Sequence, residues 1–382
     1  MKNIREALFL LVAGTFLVQT AHALPRFAIR TGAKCQSCHV NPTGKGMRNA
    51  FGFNYGNEEL PIPTFKEATG LDDFSPSLTQ YFSIGADYRT LFFYNQADKT
   101  SSFFQMQGNL YFNLRLNKKV SVYVDKELYG SFEAFGLAKI LPLDGYVKLG
   151  QFMPAYGTKV DDHNLFIRGG PYDPRVFGGE FPPGYPLGLN FGAGMEDDGI
   201  ELGFAPSIFT FQFGLFNGFP GGGLTATNAT KYKTISIRGD ATITSDLINI
   251  NVGGSYYNNP NPPIGRAHTS YGAFGAVSLF KNLTLNSEVD FVKTPFGASD
   301  SIGIMYYNEV NYLLVTGIDL KVGYEFYDPN KDIQNGSFSV ITLGAELFPL
   351  SGVEVLPLYQ INTETPKDFN NNNFLLLFHF YL

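Results

Sequence analysis

From residue 78 to the C-terminus, apolar and polar side chains alternate along the chain. Successive side chains of a strand point to opposite faces, so this period of two marks strands with one oily and one wet side. In "NLYFNLRLN", Leu110, Phe112, Leu114 and Leu116 share one face, and Asn109, Tyr111, Asn113, Arg115 and Asn117 share the other. In "DLKVGYEFY", Leu320, Val322, Tyr324 and Phe326 oppose Asp319, Lys321 and Glu325. "TISIRGDATIT" sets Ile235, Ile237 and Ile243 against Ser236, Arg238, Asp240 and Thr242. At the C-terminus Phe374, Leu376, Phe378, Phe380 and Leu382 oppose His379 and Tyr381. The pattern predicts strands near 78–95, 103–117, 119–127, 131–140, 144–155, 197–205, 207–217, 232–244, 247–257, 268–281, 283–293, 301–315, 318–327, 337–349, 353–363 and 374–382, about 16 in all.

The connections alternate as well. Turns of a few residues, at Lys118, Ala205 to Ser207, Ser245-Asp246, Lys281-Asn282, Thr316-Gly317 and Ser351-Gly352, take turns with longer loops rich in Gly, Pro, Asn and Asp. An even strand count with alternating short and long connections is the pattern of an outer-membrane β-barrel, with short periplasmic turns and long external loops. The fold class expected is therefore all-β, an antiparallel barrel over residues 75–382 with both termini facing the periplasm. A soluble antiparallel sandwich alternates too, but its buried face need be no longer than a small core requires.

Residues 1–23 carry Lys2 and Arg5, the apolar run from Ala7 to Val18, and Ala21-His22-Ala23, the three-part layout of a secretory signal peptide. No later stretch approaches the ~18–20 apolar residues of a membrane-spanning helix. The composition, without Trp but with 37 Phe, 22 Tyr and 42 Gly, suits aromatic-bearing strands and flexible turns. Loss of Lys2, Arg5 and Glu6 leaves 26 basic and 33 acidic residues, a charge of -7, which argues against nucleic acid or anionic lipid as the main partner.

Residues 156–196 form a connection too long for a simple turn and too rich in Pro and Gly for a helix. The preceding "GYVKLGQFMPAYG" resembles a segment of phosphate-selective porins, which implies a loop folded into the lumen. The acidic balance speaks against an anion pore.

The chain's only two cysteines lie in "KCQSCHV". In Cys35-Gln36-Ser37-Cys38-His39 the C-x-x-C-H spacing lets two thiols add to the two vinyl groups of one haem while the adjacent imidazole reaches the iron. A redox dithiol normally sits in a thioredoxin-like unit, which does not surround residue 35. A structural zinc needs about four ligands, and a plain disulfide leaves His39 without a role. One covalently attached haem c, with His39 as proximal ligand, is the expectation. For the sixth iron position Met47 is the first candidate, a thioether eight residues beyond His39. Ordinary packing is the competing role for it. His379, His163 and His268 are further candidates, and an open position is the remaining one. Residues 24–74 are too few to bury a porphyrin alone, so this segment is expected to plug or cap the periplasmic mouth, with the lumen wall as cover.

"FAIRTGAKCQSCH", followed by Asn49, Phe51 and Gly52, and the order of signal peptide, one haem and barrel resemble the fused monohaem cytochrome-porin family of outer-membrane proteins, which includes bacterial iron oxidases. The resemblance implies Cys35 and Cys38 as haem attachment sites, His39 as proximal ligand, and electron transfer across the outer membrane with a periplasmic c-type cytochrome as partner. Between the proline and Asn49-x-Phe51-Gly52 the chain departs from the family pattern, and it lacks the basic residue that usually follows that glycine, so the iron-oxidising subtype does not follow. Were aqueous ferrous iron the donor, Asp161-Asp162 and Asp197-Asp198 are the hard oxygen ligands flanking the long loop. Acidic pairs on loops are more commonly solvated. Two other classes remain: a passive porin whose haem segment is regulatory or vestigial, and a peroxidase-like enzyme, for which Arg48 and the lumen would have to furnish acid–base groups.

Overall fold

The computed structural model describes residues 25–64, 75–128, 130, 132–158, 165, 194–220, 232–260, 262, 268–296, 299–368 and 370–382. The expected leader (residues 1–23), Asp161, Asp162, His163 and most of the 156–196 connection lie outside these residues.

The strands are β1 (Phe82–Asn95), β2 (Thr100–Arg115), β3 (Val120–Glu127), β4 (Phe132–Leu141), β5 (Gly145–Phe152), β6 (Asp197–Phe204), β7 (Phe209–Phe216), β8 (Thr234–Ile243), β9 (Ile248–Asn258), β10 (Thr269–Leu279), β11 (Leu283–Phe296), β12 (Ser299–Val315), β13 (Ile318–Asp328), β14 (Phe338–Leu350), β15 (Val353–Glu364) and β16 (Asn373–Tyr381). Each pairs antiparallel with its sequence neighbours, and β1 pairs with β16 in the register Asp87↔Tyr381 and Arg89↔His379, so the sheet closes on itself. Closure leaves no unpaired edge, the condition for strands to stand in hydrocarbon.

Side-chain burial is inverted relative to a soluble sandwich. Leu110, Phe112, Phe211, Phe213, Val252, Leu320 and Val322 are exposed on the outside, while Asn109, Asn113, Asp319, Lys321 and Glu325 are buried within. Seven short turns gather at one rim. Leu143 and Asp144 (φ 60° and 52°) and Phe280 and Lys281 (φ 53° and 61°) take the consecutive positive φ of tight hairpin turns.

The N-terminal segment enters the barrel at this rim. Its first helix, α1 (Pro25–Thr31), opens on a proline, which loses nothing at the first helical position, and ends at Gly32 (φ 78°). Gly32 N–H donates to Ile29 O and Ala33 N–H to Ala28 O, the pair of bonds of a left-handed C-cap. Basic side chains then pin the segment to inward-facing carboxylates of distant strands. Arg26 pairs with Glu346 and lies 3.7 Å from Glu354, and Arg30 grips both oxygens of Asp319 at 2.5 and 3.1 Å. Arg48 reaches Asp87 at 3.2 Å. Lys34 donates to the carbonyls of Ala205, Ser207 and Phe209 on the β6–β7 turn.

A second piece of chain also crosses the lumen. The strand expected over 144–155 ends at Phe152, because Pro154 has no N–H to give a ladder and the chain turns inward. Tyr156 Oη donates to Asp290 at 2.9 Å, Thr158 N–H to Glu288 at 2.9 Å, and Arg238 Nε to Gly157 O at 2.8 Å, so residues 155–158 lie against β8 and β11.

Candidate functional site

The Cys35–Ser37 stretch is a single 3₁₀ turn, and the N–H groups of Cys38 and His39 both donate to Cys35 O. Three consecutive positive φ values, at Gly44, Lys45 and Gly46 (83°, 71° and 67°), turn the chain back on itself. His39 then pairs with Arg48 in an antiparallel bridge, and Val40 N–H donates to Met47 O. The fold-back brings Gly46 O to 3.3 Å from His39 Nδ1.

The other side of the turn rests on Asn49, Gly52 and the short helix α2 (Ala50–Asn54). Asn49 Oδ1 accepts from the N–H groups of Phe51 and Gly52, capping α2, while its Nδ2 donates to Ser37 O at 2.8 Å. Asn49 N–H donates to Cys38 O. A Cβ on Gly52 would stand 2.2 Å from Cys38 O, so only glycine lets α2 approach this closely.

Cys38 and His39 are buried and line one cavity holding about 990 Å³ of empty space, part of it continuous with solvent. Arg26, Arg48, Arg89, Asn286, Glu309 and Glu354 supply its polar wall. Met106, Leu356 and Leu377 supply an apolar wall, continued on β1, β15 and β16 by Leu91, Leu358 and Leu375. His379 lines the same cavity, with Nδ1 at 2.7 Å from Glu354 and Nε2 at 3.3 Å from Asp87. Cys35 is half-buried and lines a second cavity, partly open to solvent; Pro25 borders both.

Met47 lies elsewhere. Across an antiparallel bridge, paired residues point the same way and their neighbours the opposite way, so Met47 and Val40 face away from His39 and Arg48. Met47 is packed among Tyr111, Tyr123 and Phe135 and does not line the cavity of His39. His268 stands at the end of β10 away from the short turns, 3.8 Å from Asp300. Asp197 is buried, its carboxylate accepting from the N–H groups of Gly218 and Phe219.

The surroundings shift the titrating groups of the segment. Burial pushes the Tyr55 hydroxyl up to about 12, with Arg30 opposing. Burial lowers Lys34, partly offset by Asp240 and Asp144. Burial also opposes the charge on Arg48, but Asp87, Tyr381 and Tyr111 outweigh it and hold Arg48 above its ordinary value. The Arg48 guanidinium stacks 4.4 Å from the Tyr381 ring centre, and Tyr381 Oη donates to Gly56 O.

No protein-family model and no curated protein matches the chain. Solved structures match in fold. OprB of Pseudomonas putida aligns with a TM-score of 0.54 at 13% identity, over 79% of this chain and 94% of that one. The fold is that of an outer-membrane porin. OmpT of Vibrio cholerae lacking loop L8 aligns at 0.52 and 13% identity, over 79% and 99%. The outer-membrane channel DcaP of Acinetobacter baumannii aligns at 0.51 and 10% identity, over 79% and 97%. At such identities the likeness is one of fold alone.

The arginine anchors Arg26 and Arg30 and the Glu354–His379 pair had gone unread in the sequence. Alternation marks Glu354 and His379 as inward-facing but not what they meet, and Arg26 and Arg30, on α1, carry no strand pattern at all.

Proposed function

We propose that the chain is an outer-membrane cytochrome-porin, in which residues 25–64 carry one covalently attached haem c inside the barrel and pass electrons between an extracellular donor or acceptor, ferrous iron among them, and a periplasmic c-type cytochrome. One observation carries the reading: Cys38 and His39 open onto an internal cavity with an apolar wall, Met106, Leu356 and Leu377, where the lumen of a solute channel is polar. A porphyrin face is apolar and suits such a wall.

The donor set fits the group. Cys35 and Cys38 supply the two thiols for thioether attachment, and a group held by both would border both cavities. His39 Nδ1 beside Gly46 O is the arrangement in which the backbone fixes the tautomer and leaves Nε2 as the metal-binding nitrogen. Bound there, haem supplies a one-electron iron couple. Asn49 and Gly52 hold the turn in place, Arg26 and Arg48, paired with wall carboxylates, tie the segment to the barrel, and Met106, Leu356 and Leu377 line the cavity with apolar surface. The exposed apolar belt faces outer-membrane lipid.

The test is a pyridine haemochrome assay on protein purified from cells that mature c-type cytochromes, beside Cys35→Ala and Cys38→Ala. One c-type haem per chain is expected in the parent and none covalently held by both thioethers in either variant. A parent without haem would overturn the reading. A second reading, a passive porin whose haem segment is regulatory or vestigial, is favoured by the fold matches to porins and an outer-membrane channel. It requires solute flux through the full-length protein.

A further inference from the structure

We infer that His379, on the last strand of the barrel, is the distal iron ligand, so that the iron would join residue 39 of the N-terminal segment to residue 379 of the wall. The inference rests on the haem reading above and names the group that completes that site.

His379 and His39 line the same cavity. A chain of contacts links them: His39 pairs with Arg48 in a backbone bridge, Arg48 reaches Asp87 Oδ1 at 3.2 Å, and the same oxygen lies 3.3 Å from His379 Nε2. The two ring nitrogens of His379 are not held equally. Nδ1 makes a short 2.7 Å contact with Glu354, the carboxylate–imidazole pair that orients metal-bound histidines and raises their basicity. Nε2 makes the longer contact, to a carboxylate with other partners: Asp87 keeps Arg48 at 3.2 Å and Tyr111 Oη at 2.8 Å when His379 lets go. Nε2 can therefore exchange one hydrogen bond for a metal bond without stranding a buried charge.

Among the described residues, the competing side chains are worse placed. Met47 faces the opposite side of the hairpin, among Tyr111, Tyr123 and Phe135. His268 stands at the far end of β10. A pair of imidazoles also gives a lower potential than imidazole with thioether, so the choice of ligand sets which donors can reduce the protein.

The experiment uses full-length matured protein as parent, His379→Ala, His379→Gln and Met47→Leu, each checked first by pyridine haemochrome. A parent without haem would sink the haem reading and this inference with it. With haem present, near-infrared magnetic circular dichroism of the unmodified parent should report two imidazoles, and its ferric electron paramagnetic resonance should be low-spin. His379→Ala should retain its haem, turn predominantly high-spin, and return to low-spin when imidazole is added; Met47→Leu should match the parent. His379→Ala with full haem and an unchanged low-spin spectrum would overturn the inference, as would a parent signature of imidazole with thioether. The parent's own spectrum decides between imidazole and thioether. His163→Ala and His268→Ala, which should both match the parent, decide between His379 and the other histidines if the His379 variants fail to fold, and a high-spin spectrum in either would overturn the inference.

Discussion

At Gly52 a hydrogen atom stands where any other residue would drive a carbon into Cys38 O, 2.2 Å away. Overpacking against backbone costs about 1–3 kcal/mol, and here the strain must be relieved by lifting α2 from the turn that holds Cys38. Cys38 is 1% exposed and Cys35 half-buried, so in protein made without haem maturation Cys35 should react faster with a maleimide than Cys38. In Gly52→Ala, a cost of about 2 kcal/mol makes the opened turn roughly 30 times more populated, and Cys38 labelling should accelerate by a similar factor while Cys35 changes little. Equal labelling of Cys38 in both proteins would show that Gly52 does not seat the turn. The motif "FAIRTGAKCQSCH" with Asn49, Phe51 and Gly52 was legible as a pattern, and the structure supplies reasons for most of it: Gly32 ends α1, Asn49 caps α2 and ties down the turn, and Gly52 permits the approach. Met47 shows the limit of reading along the chain. A spacing of eight residues says nothing about facing, and the Gly44–Gly46 reversal that decides it depends on positive φ at a lysine as well as at two glycines.

Among elements, the period-two pattern marked all sixteen strands because a sheet with lipid outside and water or plug inside imposes unlike faces on every one of them. Ends were less legible: alternation runs on through Met153, though Pro154 has left the sheet. What alternation cannot show is which inward charge meets which. Asp319 stood out as polar on the wet face of its strand, yet its partner is Arg30, 289 positions away, on a helix that touches β9, β10 and β11 as well. That pair is buried on both sides, so removing one member strands a charge at a cost of about 3–5 kcal/mol. Arg30→Met should loosen the N-terminal segment from the wall, seen as faster tryptic cleavage after Lys34 and Lys45 with the barrel itself still resistant. The double variant Arg30→Met with Asp319→Leu should regain most of the loss, since well-packed apolar replacements for a buried pair are close to neutral. Cleavage as fast in the double variant as in the single one would assign the segment's hold to other contacts, Arg26 with Glu346 and Glu354 first among them.

For the whole molecule, the question is whether the lumen carries solutes or electrons. A sixteen-stranded barrel is wide enough for an aqueous channel. Here, among the described residues, two pieces of chain cross that space: the N-terminal segment at the short-turn rim, and residues 155–158, bound to β8 and β11. The apolar cluster of Met153, Tyr156, Met195, Tyr257, Met305 and Tyr307 fills more of the interior, where a porin that passes ions would keep water. Full-length protein in planar bilayers should therefore show few openings and conductance far below that of an open porin. Neutralising Arg26, Arg30 and Arg48 together removes three buried pairs with the wall, and frequent openings should then appear as the segment leaves the mouth. Steady porin-like conductance in the unmodified protein would favour solute passage, and with it the passive-porin reading. A closed parent that opens only when these arginines are lost would leave a barrel that blocks solutes yet holds Cys38 and two histidines on a cavity with one apolar wall, an arrangement suited to moving charge rather than mass.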